Sequence, residues 1–211
     1  MHPMTLFFEP GQHKEQGLPH NPFKAIVAPR PIGWITTLDE DGVVNLAPYS
    51  FFNALADSPP IVFFAPNGRS RASGLKDSQH NAETTGEFVC NLATWDLREA
   101  MNKTSAPVAR AVDEAALADL EMVPSRLVAP PRVKASPIHM ECRYLETIEL
   151  PSDDPEAGNF LVLGQVVAFH IDESVLNEKG LVDVTRYQPL ARLGYMDYAV
   201  VREVFSMDRP S

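Results

Sequence analysis

Nineteen prolines are spread along 211 residues, and they set the first limit on what this chain can become. That is roughly 9%, against about 5% in an average protein. A proline breaks a helix interior and cannot donate a hydrogen bond inside a sheet. The chain is therefore expected to fold as short elements joined by many ordered loops, and a helical bundle is excluded. Its length suits one well-buried domain. An apolar content of 45% and a charged content of 22% argue against disorder, coiled coil and collagen-like repeats.

Charge narrows the partners. Eighteen basic against 28 acidic residues give a formal net charge of −10. Nucleic acid or an anionic membrane surface would meet long-range repulsion, so neither is an expected partner. An anionic ligand would need a local cationic pocket. The apolar runs at 61–65 and 160–163 fall well short of the ~20 residues of a membrane helix. No basic-then-apolar pattern opens the sequence, so no secretory signal is expected. Cys90 and Cys142 both sit in strand-like sequence and read as buried thiols in a reducing compartment, with the cytoplasm as the expected location.

The spacing of chemically useful residues excludes several motifs. No two glycines lie closer than Gly11 and Gly17, which removes the dinucleotide fingerprint and the P-loop. The histidines at 2, 13, 20, 80, 139 and 170 have neither the spacing nor the cysteine companions of a zinc site. No Gly-x-Ser-x-Gly elbow is present. His139 and His170 read as polar strand residues rather than ligands.

Residues 1–29 read as an irregular arm ahead of a domain covering 30–211. Strands are expected at 31–38 and 43–47, joined by the turn Asp39-Glu40-Asp41-Gly42, and at 61–65 and 88–92. Asp77 is expected to cap a short helix that Gly86 closes, Thr94 to cap a second over 95–103, and a third to cover 113–120. Residues 139–150 alternate, with Met140, Cys142 and Tyr144 on one face and His139, Glu141 and Arg143 on a wetter one. Residues 160–171 are nearly continuously apolar, so the strand is buried on both faces or bends at Gly164. The expected fold is α+β, mainly antiparallel, a small barrel with short helical additions.

Three segments stand out. In Asn45-Leu-Ala-Pro-Tyr-Ser-Phe-Phe-Asn53, Pro48 is expected to end a strand and free the following N–H groups for a cleft. Such donors suit an electron-poor ring, though a plain corner packed by Phe51 and Phe52 accounts for the same residues. Asn67, Arg69 and Arg71 cluster with Lys76, Asp77 and Ser78 at a helix start, where free N–H groups and the dipole favour a phosphate. A solvated basic turn is the alternative. The third segment, Arg30-Pro-Ile-Gly-Trp-Ile-Thr-Thr37, is a good strand whose hydroxyls could face a ligand or solvent.

Together with Thr85–Leu92, Ser136–Arg143 and Leu190-Ala-Arg-Leu-Gly194, these segments resemble the flavin reductase-like proteins of the FMN-binding split-barrel group, related to the reductase component of nitrilotriacetate monooxygenase. The resemblance runs in order from Arg30 to Pro210. It implies a split β-barrel that holds FMN, with FAD as the other candidate, at a homodimer interface. Trp34, Thr36, Thr37, Pro48, Tyr49, Ser50, Phe51, Phe52, Asn53 and Phe64 would surround the ring. Asn67, Arg69, Lys76, Asp77 and Ser78 would surround the phosphate and ribityl chain, and Arg192 and Tyr195 would lie on the substrate side. The sequence departs from the group's pattern at Ser78, His80 and Tyr195. The implied activity is hydride transfer from NAD(P)H to flavin, with a flavin-dependent monooxygenase as consumer of the electrons. No side-chain nucleophile is needed for that chemistry, because the flavin carries it. The contrasting expectation is a flavin-binding electron carrier with no nicotinamide site.

Overall fold

The computed structural model describes residues 5–68, 74–110, 112–154 and 157–210. Arg69 therefore lies outside the described residues. The elements in chain order are α1 (Phe23–Ile26), β1 (Arg30–Pro31), β2 (Gly33–Leu38), β3 (Val44–Tyr49), β4 (Phe52–Asp57) and β5 (Pro60–Phe64). There follow α2 (Asp77–Thr85), β6 (Glu87–Leu92), α3 (Arg98–Lys103), α4 (Glu114–Leu117), β7 (Met122–Val123) and β8 (Arg132–Val133). The chain ends with β9 (Ile138–Leu150), β10 (Asn159–Ile171), α5 (Val184–Tyr187), β11 (Leu190–Arg192) and β12 (Tyr198–Val200).

Seven strands form one antiparallel sheet in the order β3-β2-β6-β9-β10-β5-β4. Its two outermost strands, β3 and β4, are joined only by Ser50 and Phe51. In a flat sheet those edges would lie about 29 Å apart, at ~4.8 Å per strand. Two residues span only about 7 Å. The sheet must therefore curl until its edges meet, giving a barrel left unzipped between β3 and β4. A smaller sheet, β1-β11-β12, closes beside that corner.

Alternation along β2 fills two layers at once. Ile35 points into the barrel with Val62, Phe64, Phe88, Cys90, Cys142 and Val162, and Tyr49 and Phe52 pack against them. Trp34 points outward into a second core with Ile32, Leu46, Met101, Val133 and Leu190, roofed by α3, α4 and β8. Two glycines make the inner layer possible. A Cβ on Gly33 would stand 2.4 Å from Phe52 Cδ2, and one on Gly164 would stand 2.2 Å from Phe88 Cζ. Gly164 also sits at a register shift between β9 and β10, so β10 bends there as the sequence suggested. Both cysteines are free and buried, and burial together with the neighbouring Cys90 pushes the Cys142 thiol up.

Several expectations need correcting. Pro48 does not end β3 but lies inside it, opposite Trp34; β3 is an edge strand, where a missing N–H is tolerated. Residues 52–57, for which no strand was expected, form one, because β5 supplies their ladder. Lys76, in extended conformation, is the cap residue of α2, and Asp77 is its first helical residue; Gly86 closes the helix as expected, at φ 78°. Thr94 bridges to Pro189 instead of capping, and α3 begins only at Arg98. The third helix is confined to Glu114–Leu117, with Asp113 accepting from the Ala116 N–H. The face of β9 expected to be wetter is so only from Arg143 onward: at His139 and Glu141 the chain between β7 and β8 folds over it, and both side chains are buried.

Candidate functional site

The end of β3 sorts its residues by alternation. Tyr49 turns inward, its ring 5.0 Å from that of Phe64. Pro48 and Ser50 instead line a cavity of about 370 Å³ on the outer side, walled by Lys24, Arg30, Arg192 and Tyr195. The volume lies within the usual range of ligand pockets, about 300–1,000 Å³.

The cavity is cationic in an acidic protein. Among the described residues, Lys24, Arg30 and Arg192 have no carboxylate within ion-pair distance. Arg30 is only 6% exposed. It donates to the carbonyls of Lys24 and Val27, and to that of Leu193 at 2.8 Å, while its Nε is buried without a partner. Burial, and then repulsion from Arg192, lower the Arg30 pKa. Arg192 donates to the Tyr195 carbonyl at 2.5 Å and lies 4.4 Å over the Tyr198 ring. The Phe51 ring faces both Lys24 and Arg30, at 5.8 and 5.7 Å. Tyr195 occupies the left-handed region, at φ 53°, in the tight turn after Gly194. A Cβ on Gly194 would lie 2.4 Å from Ala25 Cβ, so residues of the arm are packed hard against this turn.

A second recess of about 400 Å³ continues from the first, sharing Met101, Asn102, Arg192, Met196 and Tyr198 and adding Trp95, Arg98 and Glu99. The guanidinium groups of Arg98 and Arg202 lie 4.1 and 4.8 Å over Trp95. The two recesses make an aromatic, arginine-lined groove.

The start of α2 lies on the other side of Tyr49. The Tyr49 hydroxyl bonds to Ser78, and burial pushes its pKa up to about 12, so it stays a neutral phenol. Ser78 Oγ accepts from Asn45 at 2.7 Å, and Thr37 Oγ1 accepts from Asn45 at 3.3 Å and from Asn81 at 3.1 Å. Asp77 pairs with Arg110 at 2.8 Å. Lys76 is half-buried and makes no ion pair among the described residues. Asn67 is exposed in the loop after β5.

The structure thus divides the expected ligand shell. Pro48, Ser50, Phe51, Arg192 and Tyr195 meet around the cavity. Lys76 stands at the helix start, while Ser78 is turned inward. Trp34, Thr36, Thr37 and Phe64, also expected around the ring, have no exposed surface and do not line the cavity. Trp34 donates to Thr104 at 2.9 Å and Thr36 accepts from Asn91 at 2.7 Å, so their polar atoms are already satisfied. Phe52 packs into the barrel over Gly33. Asn53 is exposed on β4, its Oδ1 accepting from the Ala54 N–H. Lys24 and Arg30 were not singled out as ligand residues from sequence, nor was the Trp95 groove. One signal pointed to the first two: residues 16–38 contain no acid in a chain with 28 of them.

A flavin reductase-like domain model matches residues 27–191. The chain belongs to that family. YwrF of Bacillus subtilis, an uncharacterised protein, is 35% identical over 88% of this chain and 90% of its own length. Nitrilotriacetate monooxygenase component B from Bacillus cereus is 31% identical, with a TM-score of 0.86 over 97% of this chain and 100% of that one. A split-barrel protein from Shewanella frigidimarina, 19% identical with a TM-score of 0.75 over 89% and 90%, shares the fold. The unzipped barrel deduced above is therefore the split barrel of the flavin reductase-like family.

Proposed function

We propose that this chain binds FMN at the corner between β3 and β4 and acts as an NAD(P)H:flavin oxidoreductase. One observation carries the reading: three cations with no acidic partner among the described residues, Lys24, Arg30 and Arg192, converge on the corner in a chain of net charge −10. Arg30 is the buried one, and an uncompensated buried charge is costly unless a ligand supplies the counter-charge; Lys24 is exposed and Arg192 half-buried. The residues fit a planar anionic group. Arg30 Nε has no partner, Phe51 and Tyr195 offer ring faces, and Ser50 offers a hydroxyl and backbone N–H at the rim.

Bound FMN would supply the hydride-accepting ring. The chain's own part is to hold it and to stabilise negative charge, through fixed positive groups that need not reorganise. Arg30 is the rigid member, held by three carbonyls, whereas Lys24 and Arg192 are the adjustable ones. Lys76 at the start of α2 would receive the phosphate, with Asn67 in the loop after β5; Arg69, also proposed there, lies outside the described residues. The groove toward Trp95 and Tyr198 would seat the nicotinamide donor. FMN is favoured over FAD because it is the cofactor of the split-barrel group that the motifs resemble. The likeness to a monooxygenase component supports a flavin-dependent monooxygenase as consumer of the electrons. A homodimer is the proposed assembly, since the outward side of β4 and the side chains of Leu55, Leu145 and Phe169 are exposed. The cytoplasm is the proposed location.

Purified protein titrated with FMN should turn yellow and saturate, and anaerobic addition of NADH or NADPH should bleach the colour. Bleaching by dithionite alone would replace the reductase by an electron carrier. Absence of any flavin binding would remove the proposal.

A further inference from the structure

A second cavity, of about 410 Å³, opens where the chain between β7 and β8 meets the paired ends of β9 and β10. Its walls include Arg126, Arg132, Lys134, His139, His170 and Asp172, a donor-rich lining. It is separate from the flavin corner. Pro48, Trp34, Asn91, His139 and His170 lie opposite one another on successive strands, on one face of the sheet. Three strand spacings put His139 about 14 Å from Pro48.

The acids at this cavity are already engaged. Glu141, with no exposed surface, accepts from the Arg126 N–H at 2.8 Å, the Leu127 N–H at 2.7 Å and His170 Nε2 at 2.5 Å. Burial pushes its pKa up, but these bonds more than offset that and leave it below the usual carboxylate range. Asp172 Oδ1 accepts from the Ser174 N–H at 2.8 Å. Lys134 pairs with Glu121. The two arginines have no such partner. Arg126 and Arg132 form no ion pair among the described residues, although Arg132 feels the field of Glu141. Arg132 donates to the Pro124 carbonyl at 3.1 Å, approaches His139 Nδ1 at 3.5 Å, and keeps a buried Nε with no partner. His139 Nε2 is occupied by the Val133 carbonyl at 2.8 Å. His170 is held in place through Nε2 by Glu141, while its Nδ1 makes no hydrogen bond among the described residues. A buried guanidinium edge, a second arginine and a positioned imidazole thus surround one polar cavity.

We infer that this cavity is a binding site for a phosphate group, either inorganic phosphate or the end of a small phosphomonoester. Arginine forks match phosphate oxygens, and charge-assisted bonds to a desolvated guanidinium are the strong ones. The ligand supplies the acceptor that Arg132 lacks.

The test is titration of full-length protein with sodium phosphate at constant ionic strength, with chloride as the control, read by calorimetry and by the imidazole NMR signals of His139 and His170. A parallel titration with glycerol phosphate separates the two sources: tighter binding of the ester identifies a phosphomonoester, and equal or weaker binding identifies inorganic phosphate. Saturable binding at one site, with both histidine signals moving, is expected. Arg132→Met should weaken it by about tenfold or more, Arg132→Lys should restore part, and FMN binding should not change. An unaltered phosphate affinity in Arg132→Met would overturn the site. Should that variant fail to fold, the wild-type spectra decide: histidine signals that respond no more to phosphate than to chloride would equally overturn it.

Discussion

Two groups of polar side chains flank the end of β3, and they are built on opposite rules. On the inner side, Asn45, Thr37, Ser78, Asn81 and Tyr49 are neutral and bond to one another. On the outer side, Lys24, Arg30 and Arg192 are charged and have no acid within ion-pair distance among the described residues; Arg192 repels Arg30, and the three rest against carbonyls and aromatic rings. Apart from Asn81 Oδ1, which is buried with no partner among the described residues, these neutral groups satisfy one another and are buried at little net cost, so the inner set locks α2 onto the barrel. Like charges gathered away from acids, as these are among the described residues, cost stability, and an anion bound there would offset that cost. The same few residues of strand therefore carry a neutral, hydrogen-bonded face and a cationic face, one position apart.

The comparison can be broken or sharpened by experiment. The largest effect is expected at Asn91, a buried amide built like the inner set. It donates to the Trp34 carbonyl and Thr36 and accepts from the Val133 N–H. Asn91→Leu should cost about 3 kcal/mol or more in urea unfolding, because several buried groups lose partners at once. A loss well below 1 kcal/mol would mean that such neutral groups are not what locks the fold.

Next comes acid sensitivity. Burial holds the His139 pKa down at about 4, against an ordinary value of 6.5. As pH falls from about 6.5 to about 4, the unfolded chain takes up a proton that the folded chain refuses. Stability should therefore drop across that window, by about 3 kcal/mol in all, and hold steady above it. His139→Gln should flatten this slope in pH-dependent unfolding; an unchanged slope would assign the acid sensitivity elsewhere.

The outer face should behave in the opposite way. Arg192→Met should leave unfolding within about 0.5 kcal/mol of wild type and weaken FMN or nicotinamide binding by about 1–3 kcal/mol. A variant that lost stability but not affinity would make the cation structural. The smallest effect is expected for Lys76→Ala, about 1 kcal/mol in FMN affinity by titration, the low end for a half-exposed charged donor. Full retention of affinity would remove Lys76 from the phosphate side.

Local chemistry made much of the fold legible. The β2–β3 hairpin was readable because Asp39 accepts from the N–H groups of Asp41 and Val43 while Gly42 takes φ 83°, the turn its residue types favour. The bend at Gly164 was readable as an interruption in an apolar run. β4 was not, because Ala54, Leu55 and Ala56 have weak strand preference and no alternation, and only pairing with β5 makes them a strand. His139 and Glu141 were placed on the right face but given the wrong environment. Alternation tells which residues share a side; it does not tell that a distant segment will cover them. At the candidate site, Pro48, Ser50, Arg192 and Tyr195, singled out through their motifs, line one cavity, whereas the hydroxyls of Thr36 and Thr37 are taken up by nearby amides, which no motif reveals.

The sequence alone determined a proline-limited, mainly antiparallel domain with no nucleophilic or metal motif, and motifs that resemble the flavin reductase-like family. These are matters of local propensity and of spacing along the chain. The tertiary structure decided which of those residues meet. Arg30 reaches the carbonyl of Leu193, 163 positions away, and so brings the arm, the barrel corner and the β11–β12 turn around one cavity. Curling of the sheet places that cavity at the corner, because its two edge strands are joined by only two residues. No local preference encodes where charge will be left uncompensated; that follows only when the chain closes and the acids turn out to lie elsewhere.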